Sequence, residues 1–62
     1  MAIRKYPRTI DLVQRIRMDR GIPRSIKYAK GRSMYENILF YIKEKFNADH
    51  RQAMDAVKYF MF

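Results

Sequence analysis

The chain has 62 residues, with fourteen Lys and Arg against six Asp and Glu, a net charge of +8 and no cysteine. Disulfides and thiolate metal sites are therefore excluded, and the single histidine, His50, cannot build an ordinary zinc site. At this length folding buries only about 60% of the unfolded surface, so the fold must rest on packing, on a partner or on self-association.

The pattern along the chain predicts an all-α domain of three helices, near residues 10–20, 34–46 and 48–60. A basic arm, residues 1–8, leads into it, and an irregular basic segment over 21–32 separates the first two helices. Residues 1–62 are read as one domain.

In the first predicted helix Thr9 is a fair N-cap, and Asp11 sits in the first turn, where a negative charge suits the helix dipole. Leu12, Val13 and Ile16 share one side. Gly21 is the natural residue just past the end, and Pro23 forbids continuation. Arg15, Arg17 and Arg20 decorate the remaining surface. Asp11 and Asp19 each stand four residues from Arg15, a spacing that allows pairing.

Residues 21–32 read GIPRSIKYAKGR. Ile26 and Tyr28 alternate with Ser25 and Lys27, which suits a short strand; a helical turn capped by Ser25 fits almost as well. The expectation is a loop with one turn.

The second predicted helix carries the clearest signals. Ser33-Met34-Tyr35-Glu36 matches a capping box. Tyr35, Ile38, Leu39, Ile42 and Phe46 then form one continuous helical stripe, with Lys43 and Lys45 in the last turns. Phe40 and Tyr41 fall off that stripe. Asn47 ends this helix or caps the next. In the third helix Ala53, Ala56, Val57 and Phe60 form the central stripe, flanked by Met54 and Met61, and the two alanines allow close approach of another helix. Arg51, Gln52, Asp55, Lys58 and Tyr59 are read as its exposed side. The junction between the last two helices is so short that they must pack as neighbours.

No catalytic constellation is present: no Gly-rich phosphate loop, no paired carboxylates with a pocket signal, no Ser–His–Asp set. A non-enzymatic protein with no cofactor and no metal is expected. His50, next to Asp49, reads as a surface or half-buried residue at a helix start.

The distribution of charge says more than its size. Residues 1–32 hold ten of the Lys and Arg against two acids, while residues 33–62 hold four of each. Solubility alone gives charge no reason to segregate, and such asymmetry points to nucleic acid or another anionic surface. The basic set is Arg4, Lys5, Arg8, Arg15, Arg17, Arg20, Arg24, Lys27, Lys30 and Arg32. Seven of the ten are Arg, which favours bidentate phosphate recognition. Tyr6 and Tyr28 are interleaved with them as candidates for stacking on unpaired bases; the plainer alternative is that both cover the core. The last two helices could form a helix-turn-helix, but the final helix offers few groups able to read bases, and Asp49 and Asp55 would face phosphate.

Phe40, Tyr41, Tyr59 and the terminal Phe60-Met61-Phe62 exceed what a core this small can hide. Either they complete the core with the N-terminal arm, or Phe40, Tyr41, Tyr59 and Phe62 form a homodimer or partner face. Membrane association is not expected: no apolar run approaches the roughly 18 residues of a span, and the first helix is too sparsely apolar to lie on lipid. No signal-peptide core follows the charged N-terminus, which makes the cytoplasm, or a host cytoplasm or virion interior, the expected compartment.

The function expected on these grounds is a nucleic-acid-binding accessory protein, DNA ahead of RNA, that contacts phosphates through its basic N-terminal half. The alternative is a small regulator, of phage or plasmid type, that binds an acidic surface or the nucleic-acid channel of a host polymerase or nuclease.

Overall fold

A computed structural model describes residues 6–61; within them the chain is all-helical, with no strand. The elements in order are α1 (Thr9–Met18), α2 (Arg24–Lys27), α3 (Met34–Lys45) and α4 (His50–Val57). Three are the expected helices: α1 and α3 come close to the expected bounds, whereas α4 stops at Val57, so that Phe60, read as part of its stripe, lies past its end. The fourth, α2, is a single turn inside the segment read as a loop with one turn. Packing joins α4 to both α3 and α1, and α2 to α3.

The start of α1 corrects the assignment of its cap. Thr9 is already helical, and the N-cap is Arg8, with extended backbone at φ −126° and ψ 151°. The Asp11 carboxylate reaches back to accept from the Arg8 amide at 3.1 Å and from the Arg8 guanidinium at 3.1 and 3.2 Å. Asp11 therefore pairs with Arg8, not Arg15, and Asp19 pairs with Lys45 of α3 at 3.2 Å.

At its other end α1 closes in a Schellman motif. The Gly21 amide donates to the Ile16 carbonyl at 2.8 Å, and the Arg20 amide to the Arg17 carbonyl at 3.1 Å. The left-handed residue that terminates the helix is thus Arg20, at φ 75°, one place before the expected Gly21, itself at φ 72°. A side chain in that conformation costs about 1–2 kcal/mol.

The segment after it turns as a helix for a reason the strand-like alternation hides. Ile22 and Ile26, four residues apart, are both partly buried, whereas Tyr28 is 64% exposed. The turn over Arg24–Lys27 holds Ile26 partly buried, with Ile22 partly buried in the chain that leads into it, and leaves Tyr28 past its end in solvent. Pro23, not Ser25, is the N-cap, its φ of −60° already suited to a helix start. Gly31, at φ 100°, then makes the turn into α3, in a conformation that side chains rarely adopt.

In α3 one half of the expected capping box forms, and the carboxylate of Glu36 meets the Ser33 hydroxyl instead of the Ser33 amide. The Ser33 Oγ accepts from the Glu36 amide at 3.1 Å, and its hydroxyl lies 3.4 Å from a Glu36 carboxylate oxygen. Ile38, Leu39 and Ile42 are buried, as is Phe46 just past the end. Asn47, at φ 53°, stops the helix; asparagine tolerates this left-handed position better than most side chains.

The core gathers Leu12, Val13 and Ile16 of α1, the apolar face of α3, and Ala53, Ala56 and Val57 of α4, most of them wholly buried. The two alanines let α4 lie close to both neighbours. Phe60 and Met61 pack against this core partly buried. Two residues contradict their reading from sequence. Gln52, expected in solvent, is buried, and its amide donates to the Tyr6 carbonyl at 2.6 Å. Tyr6 is 8% exposed and belongs to the core.

Candidate functional site

The packing of α2 on α3 brings together what the sequence holds apart: the basic segment of the first half and the surplus aromatics of the second. Arg32 stands just before the α3 cap, and its guanidinium lies 4.5 Å from the centre of the Phe40 ring. Lys43, one turn along α3, places its ammonium 5.8 Å from the same ring. Phe40 is 40% exposed between them. Two further cations stand near aromatic rings, Lys27 at 6.0 Å from Tyr28 and Lys45 at 5.4 Å from Tyr41. A cation facing a ring in this way is attracted by its negative π-face.

Beneath Phe40 lies an open groove of about 210 Å³ between α2 and α3. Ile26, Ala29, Phe40 and Tyr41 form its apolar lining; Arg32, Asn37 and Glu44 supply the polar part. The Asn37 amide donates to the Ala29 carbonyl at 2.9 Å and fastens the end of the α2 segment to α3. Tyr41 is braced from below by an edge-on contact with Phe46, ring centres 6.2 Å apart. The Tyr41 hydroxyl, and after it Asp19, hold the Lys45 ammonium above its usual range, so this cation is fixed at the end of α3. Lys43 also donates to His50 Nδ1 at 3.1 Å, tying the start of α4 to the same face.

The basic residues read from sequence divide into groups. Arg24, Lys27, Lys30 and Arg32 belong to the α2 segment beside the groove, with Lys27 half-buried and the others exposed. Arg15, Arg17 and Arg20 are exposed along and just after α1, which packs on α4. Arg8 is exposed but bound to Asp11, so its charge is largely answered within the chain. Arg4, Lys5 and Phe62 lie outside the described residues.

Of the two tyrosines proposed for stacking, burial removes Tyr6, and Tyr28 stands in solvent. Tyr41 is half-buried and Tyr59 is 50% exposed. Lys43 and Lys45 were the residues that reading the sequence passed over. A local signal existed, since Phe40–Lys43 and Tyr41–Lys45 are three and four residues apart and so share a helix face. Of the two, Lys43 shares the Phe40 ring with Arg32, while Lys45 lies at Tyr41 and Asp19. The exposed side of α4 carries His50, Arg51, Met54 and Asp55, with Lys58 just past its end, a surface of mixed charge.

Among the described residues no helix is long and apolar enough to cross a membrane, and no three His, Cys, Asp or Glu side chains converge as metal ligands would. No protein-family model, no curated protein and no solved structure matches the chain.

Proposed function

We propose that the protein is a non-enzymatic nucleic-acid-binding accessory protein that grips phosphates with the exposed cations of its first half. The observation that carries this reading is the face around Phe40. There an exposed aromatic ring has Arg32 and Lys43 beside it, and the segment before Arg32 carries Arg24, Lys27 and Lys30, of which Arg24 and Lys30 are exposed. Cations that neutralise a backbone, with a ring on which a base can stack, are the two elements of general nucleic-acid grooves. Arginine adds a planar fork matched to phosphate oxygens.

Affinity for duplex DNA measured against salt tests this. Each phosphate neutralised adds about −0.9 to the slope of log K against log salt, so contact by about half of the basic set gives a slope of roughly −3 to −5. Replacing Arg15, Arg17 and Arg20 with Gln weakens binding similarly across sequences and flattens the slope. Absence of binding to both DNA and RNA at low salt sinks the proposal.

A second reading has its own support. Met54 is 39% exposed and Tyr59 50%, and Met and aromatic residues are enriched where proteins meet. This favours a homodimer through the second half, while the basic excess of the first half suits an acidic protein surface as partner. Sedimentation over a range of concentrations tests the dimer, and a monomer at high micromolar concentration removes it.

A further inference from the structure

We propose that the α2–α3 groove holds one unpaired nucleobase stacked on Phe40, so that the protein prefers single-stranded to duplex nucleic acid. The proposal rests on the nucleic-acid reading above and narrows it to a class of ligand.

Size comes first. The groove measures about 210 Å³ and is open to solvent, below the roughly 300–1,000 Å³ of clefts that enclose a drug-sized molecule. It suits one flat ring system entering from the surface. Its apolar lining is in part aromatic, and Phe40 presents 40% of its area. Stacking on such a ring is open to every base, because every base has a π-face. In a duplex those faces are already occupied by neighbouring base pairs, so only an unpaired or extruded base can use the site.

Charge and hydrogen bonding then choose between occupants. The Arg32 guanidinium lies over the ring at 4.5 Å and the Lys43 ammonium at 5.8 Å; an incoming base takes the place of Arg32 on the ring, and the two cations are then free to meet the phosphates next to that base. The groove itself contains a carboxylate, Glu44, and an amide, Asn37, whose nitrogen is bound to the Ala29 carbonyl at 2.9 Å. The acceptors at this site are thus the Asn37 oxygen and the Glu44 carboxylate. Base edges carry N–H donors that such acceptors take. An acidic protein side chain would instead meet Glu44 as a like charge, which argues against an acidic peptide in this groove even though cations surround it.

Binding of a fluorescently labelled single strand of about 12 nucleotides, and of the duplex of the same length, tests the proposal. The wild type binds the single strand more tightly than the duplex. Phe40→Ala weakens single-strand binding by roughly 10- to 100-fold, the usual weight of one stacked base, and weakens duplex binding by clearly less, so that the preference for the single strand shrinks. Phe40→Tyr, which keeps a ring, retains the preference. Circular dichroism confirms that both variants fold, as expected for a side chain already partly in solvent. If the wild type binds the duplex as tightly as the single strand, or if Phe40→Ala lowers both alike, no base is stacked and the proposal fails while the nucleic-acid reading stands. If neither nucleic acid binds at low salt and a polyglutamate peptide does, both fail and the acidic-protein partner replaces them.

Discussion

Two short helices of this molecule have opposite fates. In α4, eight residues long, Gln52, Ala53, Ala56 and Val57 are buried, and the helix packs on both α1 and α3. In α2, four residues long, no residue is buried, and its main packing is on α3. The half of the chain with no net charge supplies most of the scaffold. The charged half, after α1, lays a thinly anchored segment across one side of it. In a domain this small, a fully buried residue is not available for recognition, so the lightly packed segment is where a contact surface can be presented. Its anchors are few: partly buried Ile22 and Ile26, and the Asn37–Ala29 hydrogen bond.

The comparison breaks most visibly at the isoleucines. Ile42 of α3 is wholly buried, and Ile42→Ala should cost about 2–5 kcal/mol, enough to unfold much of the population of a small domain. Ile26→Ala, at the α2 anchor, should cost only about 1 kcal/mol because less area leaves water. Thermal melts followed by circular dichroism measure both. Equal losses would mean that α2 belongs to the core.

Gln52 sharpens the same contrast from the α4 side. Its buried amide donates to the carbonyl of Tyr6, a residue 46 positions earlier in the chain. Gln52→Ala leaves that carbonyl without this donor and should cost roughly 1–3 kcal/mol. The loss should be accompanied by greater exposure of the Tyr6 ring, readable by its fluorescence. Arg51→Ala, next to it but exposed, should change stability by less than about 0.5 kcal/mol.

The smallest effect is expected at the hinge between the two regions. Arg20 adopts a left-handed conformation at φ 75°, and strain of this kind is relieved by glycine. Arg20→Gly should raise stability by up to about 1 kcal/mol, while nucleic-acid affinity falls with the lost cation. A loss of stability would mean that the arginine side chain stabilises the fold by more than its backbone strain costs.

Much of the scaffold was legible because it obeys helical periodicity. Leu12, Val13 and Ile16, then Ile38, Leu39 and Ile42, then Ala53, Ala56 and Val57 repeat at the spacing of one helix face, and all are buried. The Ser33 cap of α3 was legible because it is made by four consecutive residues. What escaped depends on distant partners or on choices between neighbours. Gln52 is polar, and its acceptor, Tyr6, lies at the other end of the chain. Arg20 and Gly21 compete for one left-handed position, and the motif takes both. The surface around Phe40 was only half visible. Its excess charge could be counted and its surplus ring seen off the stripe, but that Arg32 meets Phe40 beside Lys43 follows from α2 folding back on α3, which no local pattern specifies.

The central claim is that placement of charge, not its amount, determines binding. Two double variants test it directly, because each removes two exposed positive charges: Arg24→Gln with Lys30→Gln in the α2 segment, and Arg51→Gln with Lys58→Gln on and just after α4. Affinity for nucleic acid against salt concentration is the measurement. If both removed cations contact phosphate, the α2 variant should flatten the slope of log K against log salt by about 1.8 on duplex DNA and about 1.4 on a single strand. The α4 variant should leave the slope within error of the wild type. Equal flattening by both would show that net charge alone attracts the ligand, and a larger effect from the α4 pair would move the interface to α4 and contradict the account.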